Sequence, residues 1–314
     1  MPRSPLRPFR QRLEAGLLWA LGALARALPF DMASDLGAAL GGLFWGLLGR
    51  RRRIAISNVR HAIGPERDGV KAEEIARRAV TQLGRTFVEF LALPSLGREA
   101  LLERIEWVGF QPLEEWGRTK RGAILVTGHY GNWEILGAAV GMKFGHMQYV
   151  LPRQTNSRSD EYLNAVRRKL GVEPVVIGYG MRSALRALED GVFLGMLPDQ
   201  DARRVGIHVP FFGRPASTHT GPARLAYRAG APIAVGVVER AGRGRFRARV
   251  IRILEADRTA AEESEVARLT AALTSDLELA IRERPDHWYW IHRRWKTPPR
   301  DPAQPYARLA DVRT

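Results

Sequence analysis

Ala-Ile-Leu-Val-Thr-Gly-His-Tyr-Gly-Asn-Trp-Glu-Ile (123–135) passes from an apolar run into a glycine-rich turn and then into a helical pattern. Residues 123–127 read as a buried strand, which places Gly128 and His129 at its carboxyl end. In α/β sheets that end is where ligands bind. Gly128 and Gly131 permit tight backbone paths beside a substrate. A helix is expected to begin near Asn132, with free N–H groups and a positive dipole end suited to an anion or a developing oxyanion.

Outward from this stretch, short apolar runs alternate with helical ones. Strands are expected at 148–151, 174–177, 192–197, 233–238 and 246–253, and helices at 133–144, 160–170, 181–190, 221–229 and 262–283. The alternation predicts an α/β fold, a mixed but largely parallel central sheet flanked by helices. Upstream, 54–106 read as helical, with Ile75, Ala76, Ala79, Val80, Leu83, Phe87, Phe90 and Leu91 near helical spacing and Pro94 expected to break the pattern. No internal repeat or linker divides the chain after residue 54.

The N-terminal part differs. Residues 13–30 and 36–49 are mostly apolar; Arg3, Arg7, Arg10 and Arg12 lie before them and Arg50 to Arg53 follow. Neither run reaches the ~20 apolar residues of a membrane span. With basic residues on both flanks, two short helices dipping into one leaflet keep both flanks on the cytoplasmic side. A pair of buried core helices would show the same pattern. The expected organisation is a membrane-associating segment (1–53), a catalytic domain (54–300) and a loosely ordered tail (301–314).

Composition narrows the chemistry. The 314 residues carry no cysteine, which excludes disulfides, thiolate nucleophiles and Cys-ligated zinc. The formal net charge of +16 favours a polyanionic partner: nucleic acid, an anionic membrane or a phosphorylated lipid. Arginine usage in a GC-rich genome would produce the same balance. The chain shows no helix-turn-helix, zinc-finger or RNA-binding signature, so no nucleic-acid partner is expected.

Five residues separate His129 from Glu134, and the Tyr-Gly-Asn turn between them would let Glu134 fold back onto the imidazole. A carboxylate there fixes the tautomer and leaves the other ring nitrogen to take a proton from a hydroxyl. No Gly-x-Ser-x-Gly elbow is present, so an acyl-enzyme has no support. Direct attack of a substrate hydroxyl on a bound thioester is the simplest chemistry, with a cation or backbone N–H stabilising the oxyanion. This calls for no cofactor and no metal.

Thr-Gly-His-Tyr-Gly-Asn-Trp-Glu (127–134), Leu-Pro-Asp-Gln-Asp (197–201), Val-Pro-Phe-Phe-Gly-Arg-Pro-Ala (209–216), Thr-Gly-Pro-Ala-Arg-Leu-Ala (220–226) and Trp-Tyr-Trp-Ile-His-Arg-Arg-Trp-Lys (288–296) occur in one order. Over about residues 13–298 the chain resembles the bacterial late acyltransferases of lipid A biosynthesis, lauroyl or myristoyl type. These belong to the lysophospholipid acyltransferase superfamily, with its His-x4-Asp/Glu signature. The resemblance implies a glycerolipid acyltransferase-like fold, His129 as general base and Glu134 as its partner. It further implies acyl carrier protein as donor and a hydroxyl of a membrane-embedded, phosphorylated glucosamine lipid as acceptor.

The same likeness brings Arg153 toward the site, although this chain reads Leu-Pro-Arg where relatives commonly show Arg-Pro. Gly131 and Asn132 are expected near the oxyanion or substrate. Asp199 and Asp201 are expected to hold active-site arginines, since no third metal ligand of suitable spacing lies nearby. Phe212 and Gly213, with Phe211, either line the site or form a tight turn among core aromatics. His292 is read as structural, with a second catalytic role open. Other readings are an acyltransferase for another glycolipid or a lysophospholipid, such as a phosphatidylinositol mannoside with acyl-CoA as donor, or a non-catalytic basic protein that binds lipid or nucleic acid.

Overall fold

The computed structural model describes residues 7–64, 69–176, 181–301, 303 and 306. Among these, strands β1 (Ile105–Val108), β2 (Ala123–Val126), β3 (Met147–Leu151), β4 (Val172–Val176), β5 (Phe193–Met196), β8 (Ile233–Gly242) and β9 (Arg245–Leu254) form one sheet. Its order is β1-β9-β8-β2-β5-β3-β4. Neighbours pair in parallel except β8 with β9, which are antiparallel. A separate antiparallel hairpin joins β6 (Ile207–Phe211) and β7 (Arg214–Thr218).

β2 lies mid-sheet between β8 and β5, and its residues are buried or nearly so because helices cover both faces. Helices α7 (Trp133–Phe144), α8 (Ser157–Lys169), α9 (Met181–Glu189), α10 (Gly221–Ala229) and α11 (Glu262–Glu283) occupy the expected stretches. Asn132 caps α7 by accepting from the Ile135 N–H at 3.0 Å. Val126 is registered against Met196, and the Thr127 N–H continues the ladder to the Met196 carbonyl. His129 and Asp199, each three residues beyond a registered position, therefore leave the sheet side by side.

The helical stretch before the sheet comprises α3 (Arg50–Ile63), α4 (Gly69–Leu96) and the short α5 (Arg98–Leu102). Two expectations are corrected here. Helix α4 runs through Pro94, which sits in its last turn, so the missing N–H and the ring bring the helix to its end two residues later rather than at once. Ile105 and Glu106 belong to β1, a four-residue edge strand too short to show a period of its own. The β6–β7 hairpin and α6 (Gln111–Thr119) were also outside the sequence expectations.

At the N-terminus, α1 (Arg7–Ala27) and α2 (Phe30–Leu47) lean on α4. The α2–α4 approach is close enough to need glycine, since a methyl at Gly84 would stand 2.3 Å from the Gly37 carbonyl oxygen. One face of this pair is packed and the other is bare. Of the large apolar side chains left exposed, Phe9, Leu13, Leu17, Trp19 and Leu24 lie on α1, and Met32, Leu40, Leu43, Phe44 and Leu47 on α2. No single described helix is long and apolar enough to cross a membrane; α2 and α3 pass that test only as a pair bent by 101°. Arg3 and most of the 301–314 tail lie outside the described residues, as does residue 177 of the strand expected at 174–177.

Candidate active site

The imidazole of His129 stands at the rim of the sheet, its side chain 23% exposed, while that of Asp199 is 2% exposed. Asp199 Oδ1 lies 2.7 Å from His129 Nδ1. Its other oxygen accepts from the His129 backbone N–H at 2.7 Å and from the Trp288 indole N–H at 2.9 Å. Burial alone would raise this carboxyl, but the imidazole's charge and these hydrogen bonds hold it down to about 2. An ionised Asp199 makes Nδ1 the protonated nitrogen, so Nε2 is left as the acceptor. The side-chain amide of Gln200 then donates to Nε2 from 3.3 Å. The Trp133 and Tyr289 rings flank the imidazole at centroid distances of 5.0 and 5.8 Å.

Glu134 does not fold back onto this ring. It starts α7 pointing the other way and meets Arg167 of α8 in a two-pronged ion pair, at 3.1 Å to Nε and 2.5 Å to Nη2. Both side chains are 9% exposed. Burial alone would lower the Arg167 guanidinium, but Glu134 more than offsets that and raises it. Arg167 also lies over the Phe90 ring, and the buried Tyr149 hydroxyl donates to the Trp133 carbonyl at 2.6 Å. Glu134 and Arg167 thus join the first turn of α7, which follows the His129 loop, to a second helix.

Gly131 and Asn132 are bound into the framework beneath the loop. The Gly131 N–H donates to the His287 carbonyl at 2.8 Å, so it is not free to meet an oxyanion in this arrangement. Its carbonyl accepts from the Thr86 hydroxyl at 2.8 Å. With φ of +57° and a would-be Cβ only 1.7 Å from the Val238 carbonyl oxygen, this position requires glycine. Asn132 is fully buried and donates to Glu89 Oε2 at 2.7 Å. Glu89, also fully buried, accepts in addition from Ser34 at 2.6 Å and Arg240 at 2.5 Å. A carboxylate on α4 thereby ties α2, β8 and the His129 loop together.

A family model described as bacterial lipid A biosynthesis acyltransferase matches residues 7–297. The chain belongs to that family. It is 25% identical over 287 residues to the lipid A biosynthesis palmitoleoyltransferase of Escherichia coli, covering 90% of each protein. It is 24% identical over 290 residues to the lauroyltransferase of the same organism, covering 91% of each. A phosphatidylinositol mannoside acyltransferase of Mycobacterium tuberculosis is 26% identical over 218 residues, 68% of this chain and 67% of that protein. The protein is an O-acyltransferase of the lipid A biosynthesis type.

Other expected site residues of this acyltransferase fall further from the imidazole's contacts. Phe212 and Gly213, with φ of 50° and 73°, are the two central residues of the β6–β7 turn. Phe212 is buried, its N–H on Glu278 at 2.5 Å and its ring under the Arg282 guanidinium. This matches the tight-turn alternative. Arg153 is exposed beyond the end of β3 and pairs with no carboxylate among the described residues. Asp201 accepts from Thr297 at 3.0 Å, and its other oxygen is buried without a hydrogen-bond partner.

The arginine beside the two acids is Arg294, which donates to the Ser217 carbonyl and the Thr218 hydroxyl, each at 2.5 Å. Burial lowers it to about 10, against the charges of Asp199 and Asp201. Burial likewise lowers His292 to about 4, which makes it neutral at ordinary pH. No cluster of metal-ligating side chains occurs among the described residues. Sequence reasoning had not singled out Arg167, Gln200 or Glu89. Asp199 was singled out, but as a holder of arginines. The available signal was its position, as far beyond β5 as His129 lies beyond β2.

Proposed function

We propose that this acyltransferase moves a fatty acyl group from a thioester on acyl carrier protein to a hydroxyl of a lipid A precursor, with His129 as general base. The observation that carries the reading is the 2.7 Å contact between His129 Nδ1 and a carboxylate whose second oxygen is already saturated. That contact leaves Nε2 as the free base and readies Asp199 to stabilise the imidazolium. The acceptor hydroxyl displaces the Gln200 amide, gives its proton to Nε2 and attacks the thioester carbonyl. The tetrahedral oxyanion then collapses, the C–S bond breaks, and the imidazolium returns its proton to the departing thiolate. The Trp133 and Glu134 amides have no helical acceptor at the start of α7, and the oxyanion is placed there. Glu134 positions this turn through Arg167.

The acceptor is membrane-embedded, and the exposed apolar faces of α1 and α2 are the surface that enters the cytoplasmic leaflet of the inner membrane. This makes residues 1–53 the membrane-associating part of the chain and 54–300 the catalytic part.

The test is acyl transfer to a phosphorylated glucosamine lipid from acyl carrier protein, with acyl-CoA and phosphatidylinositol mannoside in parallel reactions. His129→Ala lowers transfer by at least about 100-fold with near-native circular dichroism. A fully active His129→Ala enzyme overturns the mechanism, and preference for acyl-CoA with the mannoside moves the chain to the other substrate pair.

A further inference from the structure

A groove of about 610 Å³ opens between α3, the β6–β7 turn and the C-terminal loop. Arg50, Arg53, Arg214, Arg293 and Lys296 line it beside Trp295, and no carboxylate is among its walls. None of these five cations is ion-paired among the described residues, although arginines elsewhere, such as Arg224, Arg243, Arg249 and Arg268, are. Three separate segments thus bring unpaired charge into one concavity of ligand size. Convergent cations without counter-charge repel one another, and a polyvalent anion relieves that cost. Arginine forks match phosphate oxygens in particular.

Two further features say where that phosphate comes from. Exposed Leu43, Phe44 and Leu47 close α2 immediately before Arg50, so the bare apolar face runs straight into the basic groove. A lipid headgroup meets both surfaces at once, whereas an acidic protein would leave the apolar one bare. One loop also connects the groove to the catalytic centre. Asn58 of α3 donates to the Trp290 and His292 carbonyls at 2.8 Å each, fixing the loop that carries Tyr289 to the imidazole and Arg293 to the groove. Four residues of extended chain reach at most about 14 Å.

We infer that this groove binds the phosphate on the headgroup of the membrane-embedded acyl acceptor while another part of the same headgroup presents its hydroxyl to His129. This rests on the reading of His129 as the base for that hydroxyl.

The experiment compares the triple variant Arg53→Gln/Arg214→Gln/Arg293→Gln with a control of equal charge loss at exposed positions without an ion pair among the described residues, Arg182→Gln/Arg186→Gln/Arg245→Gln. Sedimentation with phosphatidylcholine vesicles containing phosphatidic acid is expected to weaken about 100-fold for the groove variant and little for the control. Soluble glycerol phosphate at matched concentration leaves the wild-type protein on the vesicles. In acyl transfer the groove variant raises KM for the phosphorylated glucosamine lipid and keeps kcat and the donor KM.

Equal losses in both triples reduce the groove to net charge and overturn the proposal. Complete displacement by glycerol phosphate assigns the groove to a soluble ligand, and a raised donor KM with unchanged vesicle binding assigns it to the acidic carrier protein; either result overturns the lipid assignment. Vesicle binding by His129→Ala separates the two readings. A fully active His129→Ala enzyme removes the base reading, whereas the sedimentation result stands or falls on the groove alone.

Discussion

Two acids lie close to the same loop and meet different fates. Asp199 ends on an imidazole that is partly open to solvent, with each carboxylate oxygen already engaged. Glu134, five residues from that imidazole in sequence, ends on a buried guanidinium. The contrast teaches that nearness along the chain counted for less than the register of two parallel strands. Val126 opposite Met196 sets His129 beside Asp199, whereas the turn of α7 carries Glu134 toward α8.

The largest effect separates the two directly. His129→Ala is expected to lower kcat by about 10²–10⁴-fold. Asp199→Asn is expected to lower it on the order of 10³–10⁴-fold, since an amide in that place favours the wrong tautomer. Both keep the KM for acceptor and a folded protein, and steady-state kinetics beside near-ultraviolet circular dichroism checks them. An Asp199→Asn enzyme within a few-fold of wild type would break the comparison at its stronger end.

Glu134→Gln acts through stability. It leaves Arg167 buried without a counter-charge, at a cost of about 3–5 kcal/mol in urea unfolding. Glu134→Leu/Arg167→Met removes both charges, so it should recover most of that stability and, with it, much of the activity. If the double variant is stable yet as inactive as Asp199→Asn, Glu134 touches the chemistry itself and the two acids are not different in kind.

Acid titration gives a smaller separation. Asp199 is depressed from 3.8 to about 2, so its contribution is present above pH 4 and lost as pH falls from about 4 to about 2. A shift of that size corresponds to roughly 2 kcal/mol. The stability gap between wild type and Asp199→Asn should close over that interval. A gap that persists at pH 2 would mean that the carboxylate's charge is not what its neighbours hold.

Much of this was legible in the residues. The runs 123–127 and 133–144 lie within a residue of β2 and α7, because an apolar run, a glycine turn and a capping asparagine are local signals. What escaped was non-local. β1 owes its existence to pairing with β9, 141 residues away in sequence, and four residues carry no period of their own. The partner of His129 came from a parallel strand 70 positions on, and no spacing rule inside the His129 motif contains that offset. Glu89 likewise sits in a strongly helical stretch as an ordinary polar position, and only the packing of α2 and β8 against α4 shows that it takes hydrogen bonds from Ser34, Asn132 and Arg240.

The smallest effect concerns the other segment assigned to the site, Phe212-Gly213. Gly213 holds φ of 73°, and a methyl there would meet nothing within 4 Å, so Gly213→Ala introduces backbone strain without a clash. The expected loss is about 1–2 kcal/mol in thermal or urea unfolding, with kcat and both KM values unchanged. The turn is anchored away from the imidazole, by the Phe212 N–H on Glu278 and the Arg282 guanidinium over the ring. The strain should therefore stay within the hairpin. A raised acceptor KM at unchanged stability would show that substrate reaches the turn, and the site would then extend from the imidazole as far as β6 and β7.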